Sequence, residues 1–164
     1  KAGWRDITPV GNFAYDYRLD GGAGPVTVQV KLQRSERGAP VVRSGRRYGL
    51  GEQVFITETQ KTRTGTDGGD KQTRPYRFGE FDLLAVSMQP STARWDRFMF
   101  TLGRWLLPGK QSGEMATLQP VSKAPHEFWT DEFETAARWF RAQDGSKRLS
   151  DGGSARRRGK GRLG

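Results

Sequence analysis

Two stretches of alternating residues, separated by six turn formers, constrain this chain more than any other feature. Residues 13–19 (FAYDYRL) and 26–33 (VTVQVKLQ) place apolar side chains at every second position, the period of a strand with one buried face. Between them runs DGGAGP, residues 20–25, a composition that favours chain reversal. The two stretches therefore predict a β-hairpin. On its second strand Val26, Val28, Val30 and Leu32 share one face, and Thr27, Gln29, Lys31 and Gln33 the other. On the first strand Phe13, Tyr15, Tyr17 and Leu19 form the apolar face, leaving Asp16 and Arg18 opposite. With all six residues 20–25 in the loop, Leu19 pairs with Val26 and Asp16 with Gln29. Directly opposed residues hold their Cβ atoms about 4.5–5.5 Å apart. Lys31 follows two residues along on the same face, so a carboxylate, an amide and an ammonium are expected to converge.

The rest of the chain reads more coarsely. Residues 35–51 are rich in Gly, Arg and Ser and predict a loop, and the β-branched run 54–59 (VFITET) predicts a strand. Residues 60–74 are polar, basic and aperiodic, the pattern of a mobile surface loop. The nearly unbroken apolar run 81–86 (FDLLAV) predicts a strand covered on both faces. Further strands are expected at 97–102 (RFMFTL) and 116–121. A helix is expected over 128–142, where Phe133, Ala136, Ala137 and Phe140 fall on one face. Acidic Asp131, Glu132 and Glu134 stand at its start and Arg138 and Arg141 at its end, as the helix dipole favours. The expected architecture is α/β (or α+β): a mixed central sheet with few flanking helices in one domain, 1–143, followed by a disordered basic tail, 144–164.

Charge bears on partners. The net charge is +10. The last 21 residues carry seven Lys/Arg and two Asp, and the other 143 carry a further +5 (21 basic, 16 acidic). A basic surface favours phosphate backbones through counterion release, although biased genome composition also enriches Arg. There is no Cys, which excludes disulfides and thiolate metal sites. No apolar run is long enough for a membrane span, and Lys1–Trp4 lacks a signal-like apolar stretch, so a cytoplasmic location (bacterial or phage intracellular) is expected. The chain begins with Lys rather than Met, as a piece of a longer protein would.

The trio on the hairpin suits one chemistry. Phosphodiester hydrolysis needs negative charge neutralised on the phosphoryl group and a water made nucleophilic near neutral pH, and a hard divalent cation supplies both. Mg²⁺ binds through one or two carboxylates plus substrate phosphate and keeps several waters. Asp16 is the anionic ligand in this reading, Gln29 a neutral oxygen ligand and the Val30 carbonyl a third. Lys31 would hold the attacking water or stabilise the transition state. The same residues also fit a polar surface with a weak ion pair.

An Asp on one strand, a short hairpin, then (E/Q)-x-K on the next resembles the PD-(D/E)XK nuclease superfamily. YDYRL, the loop and VQVKLQR carry the likeness, with Asp16, Gln29 and Lys31 at the motif positions. The basic loop followed by GEFDLLAV and RFMFTL is similar to the later strands of restriction-endonuclease members. The chain departs from the pattern twice, with Gln29 where Glu is usual and only twelve residues before Phe13, too few for the family's N-terminal helix. The resemblance implies a restriction-type endodeoxyribonuclease using Mg²⁺ (Mn²⁺ substituting), acting on double-stranded DNA, with a homodimer to cut both strands.

Other residues are weighed beside this trio. Arg34, Lys61, Arg63, Lys71 and Arg74 are candidates for nucleic-acid contact, though a solvated loop explains the last four equally well. Asp82, inside an apolar run, is either a supporting acid for the site or a structural acid paired with an Arg. Glu36, Glu52 and Glu58 are possible replacements for the charge that Gln29 lacks. The GTDGGDKQT stretch fits neither a P-loop nor an EF-hand. Rival readings are a non-catalytic nucleic-acid-binding module on the same scaffold, and an interaction domain with a basic tail.

Overall fold

The structure, a computed structural model, describes residues 3–62, 73–142 and 147–152. From the N-terminus it runs through β1 (Arg5–Asp6), β2 (Tyr17–Asp20), β3 (Pro25–Leu32), β4 (Ser35–Glu36), β5 (Ala39–Pro40), β6 (Val42–Ser44) and a 3₁₀ turn at Arg46–Tyr48. There follow β7 (Gln53–Glu58), β8 (Gln60–Thr62), β9 (Thr73–Pro75), β10 (Leu83–Ser87), the short helix α1 (Gln89–Thr92), β11 (Phe98–Leu102), β12 (Leu118–Ser122) and α2 (Phe133–Arg141). This is a mixed α+β architecture. A five-stranded sheet, β1-β2-β3-β10-β11, stands over a three-stranded sheet, β12-β7-β6. No described helix is long and apolar enough to cross a membrane.

The hairpin forms in the expected register, with Leu19 opposite Val26 and Tyr17 opposite Val28. Gly22 and Gly24 in its loop have φ of 87° and 94°, backbone that a side chain would strain. The first strand is shorter than its alternation suggests. Pairing begins only at Tyr17, and Phe13, 45% exposed, stacks on Tyr15 instead of entering the core.

Strand β3 is interior rather than one arm of a surface ribbon, because β10 pairs parallel to its other edge, Leu84 opposite Gln29 and Val86 opposite Lys31. Every residue of β10 is buried, as its unbroken apolar run requires. On one face of this pair Val26, Val28, Leu83 and Ala85 pack with Leu102, Trp105 and Ala136 of α2. On the other, Leu84 and Val86 join Val54, Ile56, Tyr76, Phe81 and Val121 between the two sheets. The polar face of β3 thus looks into the molecule.

Four expectations need correction. The helix expected over 128–142 begins only at Phe133, because Trp129 and Thr130 are held in bridges to His126 and Phe100. Residues 35–51 are not a plain loop, since β4 pairs with β5 and β6 with β7. Residues 60–74 are held at both ends, where β8 and β9 pair antiparallel from Gln60↔Pro75 to Thr62↔Thr73. Residues 63–72 lie outside the described residues. The tail is not free throughout. Leu149 is 1% exposed in the inter-sheet core, its N–H donates to the Trp105 carbonyl at 2.7 Å, and Arg47 pairs with Asp151. One apolar residue with a core slot anchors a segment whose composition otherwise favours solvent.

Candidate active site

Asp16 does not pair with Gln29 in the ladder as expected: pairing stops at Tyr17↔Val28, and the Asp16 N–H donates to the carbonyl of that same Val28 at 3.0 Å, so two residues of the first strand face one of β3. Its side chain then replaces the missing next residue of β2. Asp16 Oδ2 accepts from the Val30 N–H at 2.7 Å and from Gln29 Nε2 at 2.6 Å. The same Nε2 donates to the Val30 carbonyl at 3.2 Å. The three groups that sequence chemistry assigns to a cation therefore gather about one amide nitrogen. Gln29 is only 4% exposed, whereas Asp16 is exposed, so the amide is shielded while water reaches the carboxylate.

Lys31 lies two residues along the same face. Its Nζ donates to the Gln60 carbonyl at 3.3 Å and stands 5.3 Å from the centre of the Tyr76 ring. Burial lowers its pKa, against the opposing charges of Asp16 and Glu58. Lys61 Nζ stands 5.1 Å from the same ring and pairs with Glu80 at 2.6 Å. Arg74 approaches Glu80 at 3.7 Å. Burial works against the Glu80 carboxylate, but the Lys61 hydrogen bond, the Arg77 N–H and the Lys61 and Arg74 charges together hold its pKa below the ordinary value. The Tyr76 phenol is pushed up to about 12, first by burial and then by the charges of Asp16 and Glu80. Asp16, Lys31, Lys61 and Glu80 thus surround one buried tyrosine.

Sequence reasoning brought forward the trio and missed Tyr76. Its signal is an aromatic residue closing the basic segment as RPYR, residues 74–77. Of the three acids weighed as substitutes for the missing charge, Glu58 reaches the site, acting on Lys31 and accepting a hydrogen bond from Gln60 Nε2. Glu36 is paired with Arg34 and Glu52 with Arg46. Asp82 faces Thr27 rather than an Arg. Its Oδ2 accepts from the Thr27 N–H at 2.8 Å and hydroxyl at 2.9 Å, which ties the start of β10 to β3. Among the proposed nucleic-acid contacts, Lys61 and Arg74 join the Tyr76 cluster, Arg34 lies beyond the end of β3, and Arg63 and Lys71 fall outside the described residues. Among the described residues no group of three or more His, Cys, Asp or Glu could hold a cation. A metal ion here would rest on Asp16 with neutral oxygens.

No protein-family model and no curated protein sequence matches the chain. Among solved structures it is similar to a bacterial homing endonuclease, I-Ssp6803I, with a TM-score of 0.46 and 17% identity, covering 86% of this chain and 84% of that one.

Proposed function

We propose that this chain is a metal-dependent endonuclease that hydrolyses phosphodiester bonds of duplex DNA, of the restriction type, at Asp16, Gln29 and Lys31. The observation that carries the reading is the meeting of the Asp16 carboxylate, the Gln29 amide and the Val30 carbonyl within 2.6–3.2 Å, beside a part-buried lysine. Neighbouring oxygens around Mg²⁺ at its usual bond length are about 2.9 Å apart. Asp16 Oδ2 and the Val30 carbonyl are the oxygens that would hold the ion, and the Gln29 amide, which now turns Nε2 toward both, would join them on turning over to present Oε1. Bound Mg²⁺ or Mn²⁺ would supply Lewis acidity and a water of lowered pKa.

The chain's own residues do the rest. Asp16 provides the anionic ligand and Gln29 and Val30 the neutral ones. Lys31 Nζ, held between the Gln60 carbonyl and Tyr76, points positive charge at developing phosphoryl charge from a setting of reduced solvation, where it counts for more than in water. Lys61 and Arg74 are close enough to the same cluster to receive flanking phosphates when they leave Glu80. Cutting both strands of a duplex calls for two such sites, and so for a homodimer.

One observation favours a second reading, a nucleic-acid-binding module without catalysis. Asp16 Oδ2 already has two donors, so the carboxylate also serves as the cap of a strand edge. Supercoiled plasmid incubated with Mg²⁺, Mn²⁺ or EDTA separates the two. Nicking that requires the metal and disappears in Lys31→Ala supports the nuclease. Salt-sensitive binding that is indifferent to metal, with no nicking, supports the module.

A further inference from the structure

A cleft of about 1050 Å³ opens at the edge of the inter-sheet core, whose Val41, Ile56, Leu107 and Leu149 line its inner wall, between β6, the start of β12 and the anchored C-terminal segment. Arg34, Arg43, Arg47 and Arg148 line it against one acid, Asp151, and its floor includes Tyr48 and Leu118. The four cations are not equally engaged. Arg47 is pinned by Asp151. Arg34 holds only an exposed partner, Glu36, at 3.1 Å, a pair of little energetic weight that a phosphate can replace. Among the described residues neither Arg43 nor Arg148 forms an ion pair. Arg148 is nonetheless fixed, its guanidinium 4.3 Å from the Phe78 ring and its Nε donating to the Arg104 carbonyl at 3.3 Å. Its remaining N–H groups are thereby oriented in advance. Leu118 is 45% exposed in this setting, an apolar surface inside a cationic rim.

An anion alone would need the rim and not the floor. A duplex would offer phosphates to the rim but keep its bases stacked away from Leu118 and Tyr48. A single strand satisfies both, with phosphates on the arginines and an unstacked base against Leu118, beside a Tyr48 ring that Arg47 covers on one face at 4.9 Å. We infer that this cleft is a binding track for a single strand of DNA, separate from the Asp16 site. The inference stands whether or not that site cleaves.

The test uses the full chain in EDTA, so that cleavage plays no part, with a fluorescent oligothymidylate and a duplex of equal length read by anisotropy. The Arg43→Ala/Arg148→Ala variant is compared with Arg5→Ala/Arg138→Ala, which loses the same charge elsewhere. The cleft variant is expected to weaken single-strand binding about tenfold or more and to lower the salt slope by about 1.4, the effect of two lost phosphate contacts. Leu118→Ala is expected to weaken the single strand severalfold and leave duplex affinity unchanged. Equal losses for duplex and single strand in either variant would overturn the assignment. So would a cleft variant indistinguishable from its charge-matched control, or polyglutamate competing as well as oligothymidylate.

Discussion

Replacing Gln29 by Glu turns the contact at the centre of the site into a pH-dependent liability of calculable size. In the native chain an amide N–H₂ donates to Asp16 Oδ2 at 2.6 Å from a side chain 4% exposed. The Glu variant sets a second carboxylate there. Two unit charges 4 Å apart at an effective dielectric of 20 repel by about 4 kcal/mol. The alternative is for the pair to keep one proton. At pH 7 and an ordinary Glu pKa of about 4.3, that costs about 3.7 kcal/mol, at 1.36 kcal/mol per unit. Asp16 is exposed, so water screens the repulsion and about 3–4 kcal/mol is the upper bound of the loss, still a sizeable part of the roughly 5–15 kcal/mol that holds a domain folded. The shared proton raises the pair's pKa in the folded state. Its stabilising effect is therefore complete below the unfolded value of about 4.3 and is lost as pH rises through the folded value. At pH 5 the deficit shrinks to about 1 kcal/mol. Urea unfolding of Gln29→Glu and wild type, followed by tryptophan fluorescence in EDTA at acid and neutral pH, measures the difference. Added Mn²⁺ should erase most of the neutral-pH deficit, because the carboxylates then share a cation. A variant that tracks wild type across this range would refute the side-chain contact between residues 16 and 29 on which the site rests.

Leu149→Ala should cost about 2–4 kcal/mol, since Leu149 fills a slot in the inter-sheet core. A drop in the urea midpoint checks this, and no change would mean that the terminal segment is not packed. An alkaline absorbance titration should find one of the four tyrosines ionising late, near pH 12, and the laggard should vanish in Tyr76→Phe. Because the folded value is raised, that phenol's stabilising effect is present below its ordinary value near 10 and is lost as pH climbs through about 12.

The hairpin was legible because its cues are local. A period of two, a run of turn formers and the parity of the two strands together fix which residues oppose, and the register follows without knowledge of the remaining chain. The run at 81–86 was legible for a similar reason, since a strand apolar on both faces must be covered twice. What the sequence hid depends on partners distant along the chain. The parallel pairing of β3 with β10 spans more than fifty residues, and it makes Gln29 an interior side chain rather than a surface one. The same holds for β8 and β9, whose residues lack alternation and pair because the strands on either side bring their ends together. Tyr76 escaped notice because its role arises only when β3, β8 and the 74–80 turn meet. Leu149 was masked by its neighbours, which are polar and basic, although a single buried residue was enough to anchor them.

Along β3, core and chemistry are interleaved at consecutive positions: Val26 and Val28 hold α2, while Gln29 and Lys31 address Asp16 and Tyr76. One residue added to or deleted from 26–31 would exchange the two faces beyond that point, sending a lysine toward Trp105 and a valine toward Asp16. This stretch should therefore accept point substitutions graded by size and polarity yet reject every change of length. In a library of random single-codon deletions it should stand out as a gap with sharp edges, while the loop at 20–25 next to it tolerates change far more readily.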